Sequence, residues 1–434
     1  MSSKSSLLES LSSTKDAQIA LLQSFVRAPS PNPPGDTVQA TKILTDYLSS
    51  QNIPYTLLAP PGRESSPNLV SQFTGLGGPG PRVILNGHID VFPVDEATRS
   101  QWTRDPWSGD IGNGRIHGRG VVDMKSGTAS LVLAYAALYA VRNQIEGSVA
   151  LCAVSDEETG GKYGTQYLLD LENGKEKWGG DVMLSTEPSG QTIRFSEKGT
   201  LRITTTVQTR GAHGAYLNLS KGAIRTATTF ISLVIPAIES LPTNPPQELS
   251  HYLSDPAVLT EVDCAMGHGT STIIARPTVN IGTITGGVKV NMIPDSCTFE
   301  LDIRLPVGLV AETVMKVLED IARRAEFNDA RIEFHKQEAA SNPASYSSLN
   351  HPLVSLIQQA AVTPGVGDRR PIAIPSMGAT DCKHYRYRGV PAFVYGCSPL
   401  TMASVDESAS VDEFLHVTKV MAFATWDFLA SKSG

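Results

Sequence analysis

The chain reads as an α/β fold, a mainly parallel sheet with helices on both faces, interrupted by a smaller α+β module. Three observations carry that reading. From Arg82 onward short apolar runs alternate with helical segments, VILNG, SGTASLVLAYAALYAVR, SVALCAVS and DVMLST, which is the pattern of strand–helix units feeding a parallel sheet. Near Thr200 the texture changes, because TLRITTTVQTRG alternates apolar with Thr or charged residues, as a half-buried strand does. Finally, 434 residues exceed what one ordinary core accommodates, so two domains or one domain carrying an insertion are expected.

The elements follow in order. Residues 15–27 form an amphipathic helix, the breaker-rich APSPNPPGD a loop, and residues 37–51 a second helix. After the α/β stretch, TLRITTTVQTRG, GAIRTATTFISLVIPAIES, TVNIGTITG, CTFELDIRLP, AETVMKVLEDIARRAEF and ARIEFHKQ run strand, helix, strand, strand, helix, strand, a compact βαββαβ module. Inside it, residues 241–277, with PTNPPQELSHYLSDP, read as a loop-rich insertion without assigned elements. Beyond Asn342 the helix LVSLIQQAAV, the strand VPAFVYG and the helix DEFLHVTKVMAFATWDFLA restore the α/β texture. The expected division is therefore 1–198 and 342–434 for the larger domain and 199–341 for the inserted one.

Composition narrows the function. A net charge of −7 argues against a nucleic-acid partner, since a phosphate backbone needs a basic face. No segment has the eighteen or so uncharged apolar residues of a bilayer span, and the first 25 residues lack an apolar signal core, so a cytoplasmic protein without membrane attachment is expected. Cys152, Cys264, Cys297, Cys382 and Cys397 are odd in number and scattered, which suggests neither a disulfide framework nor a thiolate zinc site.

Four apolar runs end in groups suited to metal or proton chemistry. VILNG leads into His88 and Asp90; GRGVVD delivers Asp123 just before a helix; SVALCAVSD ends in Glu157 and Glu158; DVMLST ends in Glu187. Parallel strands bring their carboxyl ends to one edge, where ligands bind in such folds. One imidazole among several carboxylates suits a divalent cation, zinc first and manganese or cobalt next. Taken singly, each piece has an ordinary explanation: a satisfied polar cluster for His88 and Asp90, a solvated turn for Glu157–Glu158, a loop acid for Glu187. Four independent run ends carrying the right ligand types are what favour a metal site.

The ordered set GHIDVFP, WTRDPW, GRGVVDMKSG, SDEETGG and STEP resembles the dinuclear zinc metallopeptidase and deacylase family that includes aminoacylase, acetylornithine deacetylase, succinyl-diaminopimelate desuccinylase, carnosinase and glutamate carboxypeptidase. The resemblance implies that His88, Asp123 and Glu187 hold one metal, that Asp123 bridges to a second held by Glu158, that Asp90 orients His88, and that Glu157 is the general base. It also makes the inserted module a lid and dimerisation domain. There His213, in RGAHGAYLNLSKGA, would stabilise the oxyanion in the partner's site, with Asn291 and Arg304, in VNMIPDSCTFELDIR, contacting substrate. Lys198, in SEKG, and Gly378, in SMGATD, are further substrate-side candidates. An ion pair with Asp302 is the competing explanation for Arg304, and a surface loop position that for His213.

One departure stands out. Relatives carry a final histidine ligand in a His-x-x-Asp/Asn-Glu run, whereas this chain has ASVDE, placing Ala403 at the ligand position. A shifted ligand such as His384, a centre working with one metal, or lost or redirected chemistry are the competing explanations. Ser126 and Leu217 are smaller departures, standing where glycine and proline are usual. The expected protein is a homodimeric enzyme with one or two zinc ions per subunit, replaceable by cobalt or manganese, cleaving amide bonds of small N-acyl amino acids or short peptides. The rivals are an amide-forming or otherwise repurposed biosynthetic enzyme and a non-catalytic metal- or ligand-binding relative.

Overall fold

A computed structural model of the chain describes residues 3–430. Two compact units divide it. The first comprises the described residues up to Phe195, Ser347–Ile374 and those from Thr380 on; the second comprises Ser196–Tyr346 and Pro375–Ala379.

In the first unit the strands Thr56–Leu58, Asn68–Thr74, Glu146–Val154, Gly78–His88, Val182–Ser185 and Ala392–Val394 lie side by side in that order. The last four run parallel, and the first two join them antiparallel. A parallel strand covered on both faces should be apolar throughout rather than alternating, and Val182–Ser185 is indeed buried at every position. Helix Ser126–Ala140 is buried on nearly every side, as a helix apolar all round must be. Small residues let it come close: a Cβ at Gly127 would lie 2.4 Å from the carbonyl oxygen of Thr186, the residue before Glu187. Val121–Ala140 is the one stretch among the described residues long and apolar enough to cross a membrane, and 89% of its most apolar window is buried in this core.

The second unit is built on a four-stranded antiparallel sheet in the order Thr278–Gly286, Ser296–Leu305, Gly199–Gln208, Arg331–Lys336. Burial alternates along Ser296–Leu305, so one face meets the core and the other does not. Helices Ala223–Glu239 and Ala311–Ala322 contribute Phe230, Val234 and Leu318 to a core shared with Leu201, Phe299 and Leu301.

Residues 241–277 are not loop-rich. They hold the helices Gln247–Tyr252, Pro256–Met266 and Thr270–Ile273. Asp255 caps the middle one by accepting from the Ala257 N–H at 2.8 Å, and Pro256 occupies the first helical position. That cap-then-proline pair is itself a helix-start signal, but turns this short leave too little periodicity to recognise. The same shortness hid strands such as Thr56–Leu58.

Gly127→Ala forces backbone to move, because the atom in the way is a carbonyl rather than a flexible side chain. The expected outcome is a loss of about 1–3 kcal/mol in denaturant unfolding; an unchanged midpoint would contradict the packing described.

Candidate metal centre

Three neighbouring parallel strands end together. In register, His88 stands opposite Val154 and Asn86 opposite Ser185, so the residues just past those ends, Glu157 and Glu158 on one side and Glu187 on the other, converge on the imidazole. Asp123 arrives from the irregular segment Val121–Lys125 that precedes helix Ser126–Ala140. His88 Nε2 lies 3.1 Å from Asp123 Oδ1 and 3.7 Å from Glu187 Oε1. Two sets of ligand atoms lie mutually within 4.8 Å, His88 with Asp123 and Glu158, and His88 with Glu157 and Glu187.

The tautomer of His88 follows from its surroundings. Nδ1 is 2.7 Å from the main-chain carbonyl of Asp90, which can only accept, so Nδ1 carries a proton and Nε2 is the nitrogen turned towards the acids, able to offer its lone pair to a cation once it has lost its own proton. The orienting group is thus the Asp90 backbone; its carboxylate is farther, 3.6 Å from Nδ1. That carboxylate instead accepts from the N–H groups of Glu157 at 3.2 Å and Glu158 at 3.1 Å and from Asn32 Nδ2 at 2.8 Å. Asp156 shapes the same turn, accepting from the Thr159 hydroxyl at 2.6 Å and the Tyr163 N–H at 2.8 Å. Sequence reasoning passed over Asn32 and Asp156. Asn32 sits in a proline-rich loop with no periodicity, and Asp156 looked like the prelude to the Glu pair.

Electrostatics make the cluster unstable as it stands. His88 is 1% exposed and Glu187 8%. Burial pushes Glu158 up to about 10, helped by Asp123, and Glu187 up to about 7 against the pull of His88. Glu157 is also raised well above the carboxylate range, by burial first, with Lys383 Nζ at 3.9 Å pulling the other way. For His88 burial opposes the charge, yet Glu187, Asp123 and Asp90 together hold its pKa well above the ordinary value. The Glu158 Oε1 atom is buried with no hydrogen-bond partner, a costly arrangement unless something positive meets it. One imidazole and hard carboxylate oxygens, with no thiolate among them, are the donor set of a divalent metal. The residues present fit one.

His384 does not join either set. Its Nε2–H donates to the Gly160 carbonyl at 3.2 Å, with Asp381 at 3.8 Å. Ala403 lies exposed on a turn at φ 57°.

The remaining predicted residues belong to the second unit. His213 is exposed, pairs with Met292 in a two-stranded ladder and accepts from the Ala215 N–H at 3.2 Å. Asn291 is exposed and its carbonyl accepts from Gly214 at 2.8 Å. Arg304 bonds Asp302 at 3.0 Å and Thr200 at 3.4 Å, the ion pair being half-buried. Lys198 Nζ donates to the carbonyls of Ile273 and Arg276, 2.7 Å each, and burial with Arg304 nearby lowers its pKa to about 8. Gly378 faces open space.

Comparison with known proteins places this geometry. The model of peptidase family M20/M25/M40 matches residues 84–426. A succinyl-diaminopimelate desuccinylase of Methylorubrum extorquens is 26% identical over 411 residues, covering 93% of this chain and 96% of the relative. Among solved structures, the M20 family metallo-carboxypeptidase Sso-CP2 of Sulfolobus solfataricus superimposes with a TM-score of 0.75 at 19% identity, covering 94% of this chain and 98% of that one. Human carnosine dipeptidase 1 gives 0.73 at 15% identity, with 99% of each chain covered.

The raised acids dictate how metal-free protein responds to pH. Glu158 titrates near 4.5 when unfolded and near 10 when folded, so the folded state holds the extra proton between those values. The stability this group contributes is present below the lower value and is lost as pH rises towards the higher one. Raised His88 acts in the same direction. Chelator-treated protein should therefore melt progressively lower from about pH 5 to about pH 9, and Glu158→Gln, which cannot ionise, should fall less. A gap between the two that stays constant with pH would contradict the assignment.

Proposed function

The chain belongs to peptidase family M20/M25/M40, hydrolases of C–N bonds, and from that premise we propose that it cleaves the amide bond of small N-acyl amino acids or short peptides, with zinc as its cation. The observation that carries the reading is the convergence of His88, Asp123, Glu157, Glu158 and Glu187 at the ends of neighbouring strands. Its likeness to a desuccinylase along almost the whole of both chains supports an N-acylated substrate.

Neutral His88, its proton held on Nδ1 by the Asp90 carbonyl, offers Nε2, while Asp123, Glu158 and Glu187 offer carboxylate oxygens. A divalent cation held there would polarise the amide carbonyl as a Lewis acid and lower the pKa of a water molecule towards neutrality. Glu157 moves the proton. Its carboxylate takes one from the attacking water and returns it to the amide nitrogen as the C–N bond breaks, and burial, which raises the pKa of this group above that of a free carboxylate, favours its taking up that proton. Asp90 keeps Glu157 in place through the backbone N–H it accepts.

Residues 199–341 serve, in this reading, as lid and dimerisation domain. Support comes from strand Thr278–Gly286, which is the sheet's edge, and from the exposure nearby of Ile284, Val288 and Val290 at 50%, 88% and 101%, an edge that a second copy would cover. His213 would donate to the oxyanion in the partner's site, a role typically worth about 3–4 kcal/mol of barrier, while Asn291, Arg304, Lys198 and Gly378 would meet the substrate. A cytoplasmic location is supported by five free cysteines, as expected in a reducing compartment.

Purified protein loaded in turn with zinc, manganese and cobalt is incubated with a panel of N-acyl amino acids and dipeptides. Release of free amine is expected. Product that forms only on adding an amine would favour the amide-forming alternative that the exchange at Ala403 raises, and metal binding without either reaction would favour a binding protein. Glu157→Gln should lower kcat about 100- to 10,000-fold while metal content, read by elemental analysis, is retained; substantial residual turnover would mean that another group is the base.

A further inference from the structure

The turn that carries Ala403 has no ligand to give, yet it is fastened to the metal centre by another route. Four residues on, Glu407 is 1% exposed. One of its carboxylate oxygens accepts from the Val122 N–H at 2.9 Å and the Asp123 N–H at 3.4 Å; the other accepts from the Gly120 N–H at 3.1 Å and from Arg119 Nη1 at 2.6 Å. Its main-chain carbonyl accepts from the Gly118 N–H at 2.9 Å. Arg119 is itself buried, lies over the Trp102 ring at 5.3 Å and donates to the Ala403 carbonyl at 3.2 Å. Asp406 adds two bonds to Thr103, both 2.9 Å. The next residues, Ser408–Ser410, pair with Arg115–His117.

Asp123 needs such support more than its neighbours do. His88 stands at the end of a strand held on both sides by sheet partners. Asp123 instead sits in a segment whose own φ and ψ, −117° and 98°, are non-helical, so no regular ladder fixes its backbone. Its amide and those of Gly120 and Val122 find their acceptor in Glu407. A buried carboxylate taking three backbone N–H groups and one guanidinium is fully occupied, with no oxygen spare to bind metal.

We propose that Glu407 is a positioning residue for the metal centre: locked by Arg119, its carboxylate fixes the backbone that carries Asp123 and thereby sets metal affinity. The inference rests on the metal reading given above. The segment 403–407 thus acts on the centre through the main chain of another loop, without touching the cation.

The test compares wild type with Glu407→Gln. The amide keeps the size of the side chain but turns an NH2 towards backbone N–H donors on one side or the other. Because the single change leaves the Arg119 guanidinium buried without its counter-charge, the double change Glu407→Gln/Arg119→Gln, which removes both charges, is made alongside. Zinc affinity is measured by competition with a chromophoric chelator, on protein that circular dichroism shows to be folded and well below its melting temperature. Both variants should bind zinc about 10- to 100-fold more weakly than wild type, with kcat at limiting zinc falling while KM stays close to wild type, and Glu407→Asp should recover part of the affinity. A purely structural role would lower the melting temperature and leave the affinity of folded protein unchanged, and that result would overturn the proposal. Wild-type protein that retains no zinc would overturn the metal reading itself, and this inference with it.

Discussion

One constraint governs the larger unit: five ionisable side chains share a space from which water is largely excluded, and four of them are acids. Burying carboxylates is costly unless each finds a donor or a positive charge. Here the protein supplies donors generously to Asp90 and Asp156, and leaves Glu158 with an oxygen that has none. That acid shares a ligand set with His88 and Asp123. A divalent cation held there would offset the mutual repulsion and favour the charged forms of the acids.

The surrounding fold answers to that constraint. A parallel sheet can deliver residues distant in sequence to one edge because every strand ends there, and the buried helix Ser126–Ala140 presses close enough to Thr186 to fix where Glu187 begins. Lys125, wholly buried, donates to the carbonyls of Phe25 and Ala28 at 2.9 and 2.6 Å, tying the far side of the Asp123 segment to an N-terminal helix end. Between Lys125 and Glu407 that segment is held from two directions, which compensates for its lack of regular structure.

Much of this was legible in the chain. The long alternation of apolar runs and helices, and the period-two pattern of CTFELDIR, each reflect a burial environment that composition must satisfy, so fold and module order could be read. So could the residues at run ends, because ligand chemistry restricts them to a few types. What escaped notice were groups whose importance lies in a partner distant along the chain. Asn32 and Glu407 are ordinary polar residues until the fold sets them against Asp90 and Asp123, at separations of 58 and 284 positions. Likewise the role of Asp90 is divided between its carbonyl and its carboxylate, a distinction that residue identity cannot express.

That division has a wider meaning for how such a centre can change over time. Asp90 splints two strand ends at once, its carbonyl steadying the imidazole and its carboxylate the Glu157–Glu158 turn, so neither connection can be lengthened or shortened without slackening the other. Change is therefore easier by exchanging side chains than by altering the trace, and position 403, exposed on its turn, is a place where a side chain can change while its carbonyl keeps the bond from Arg119.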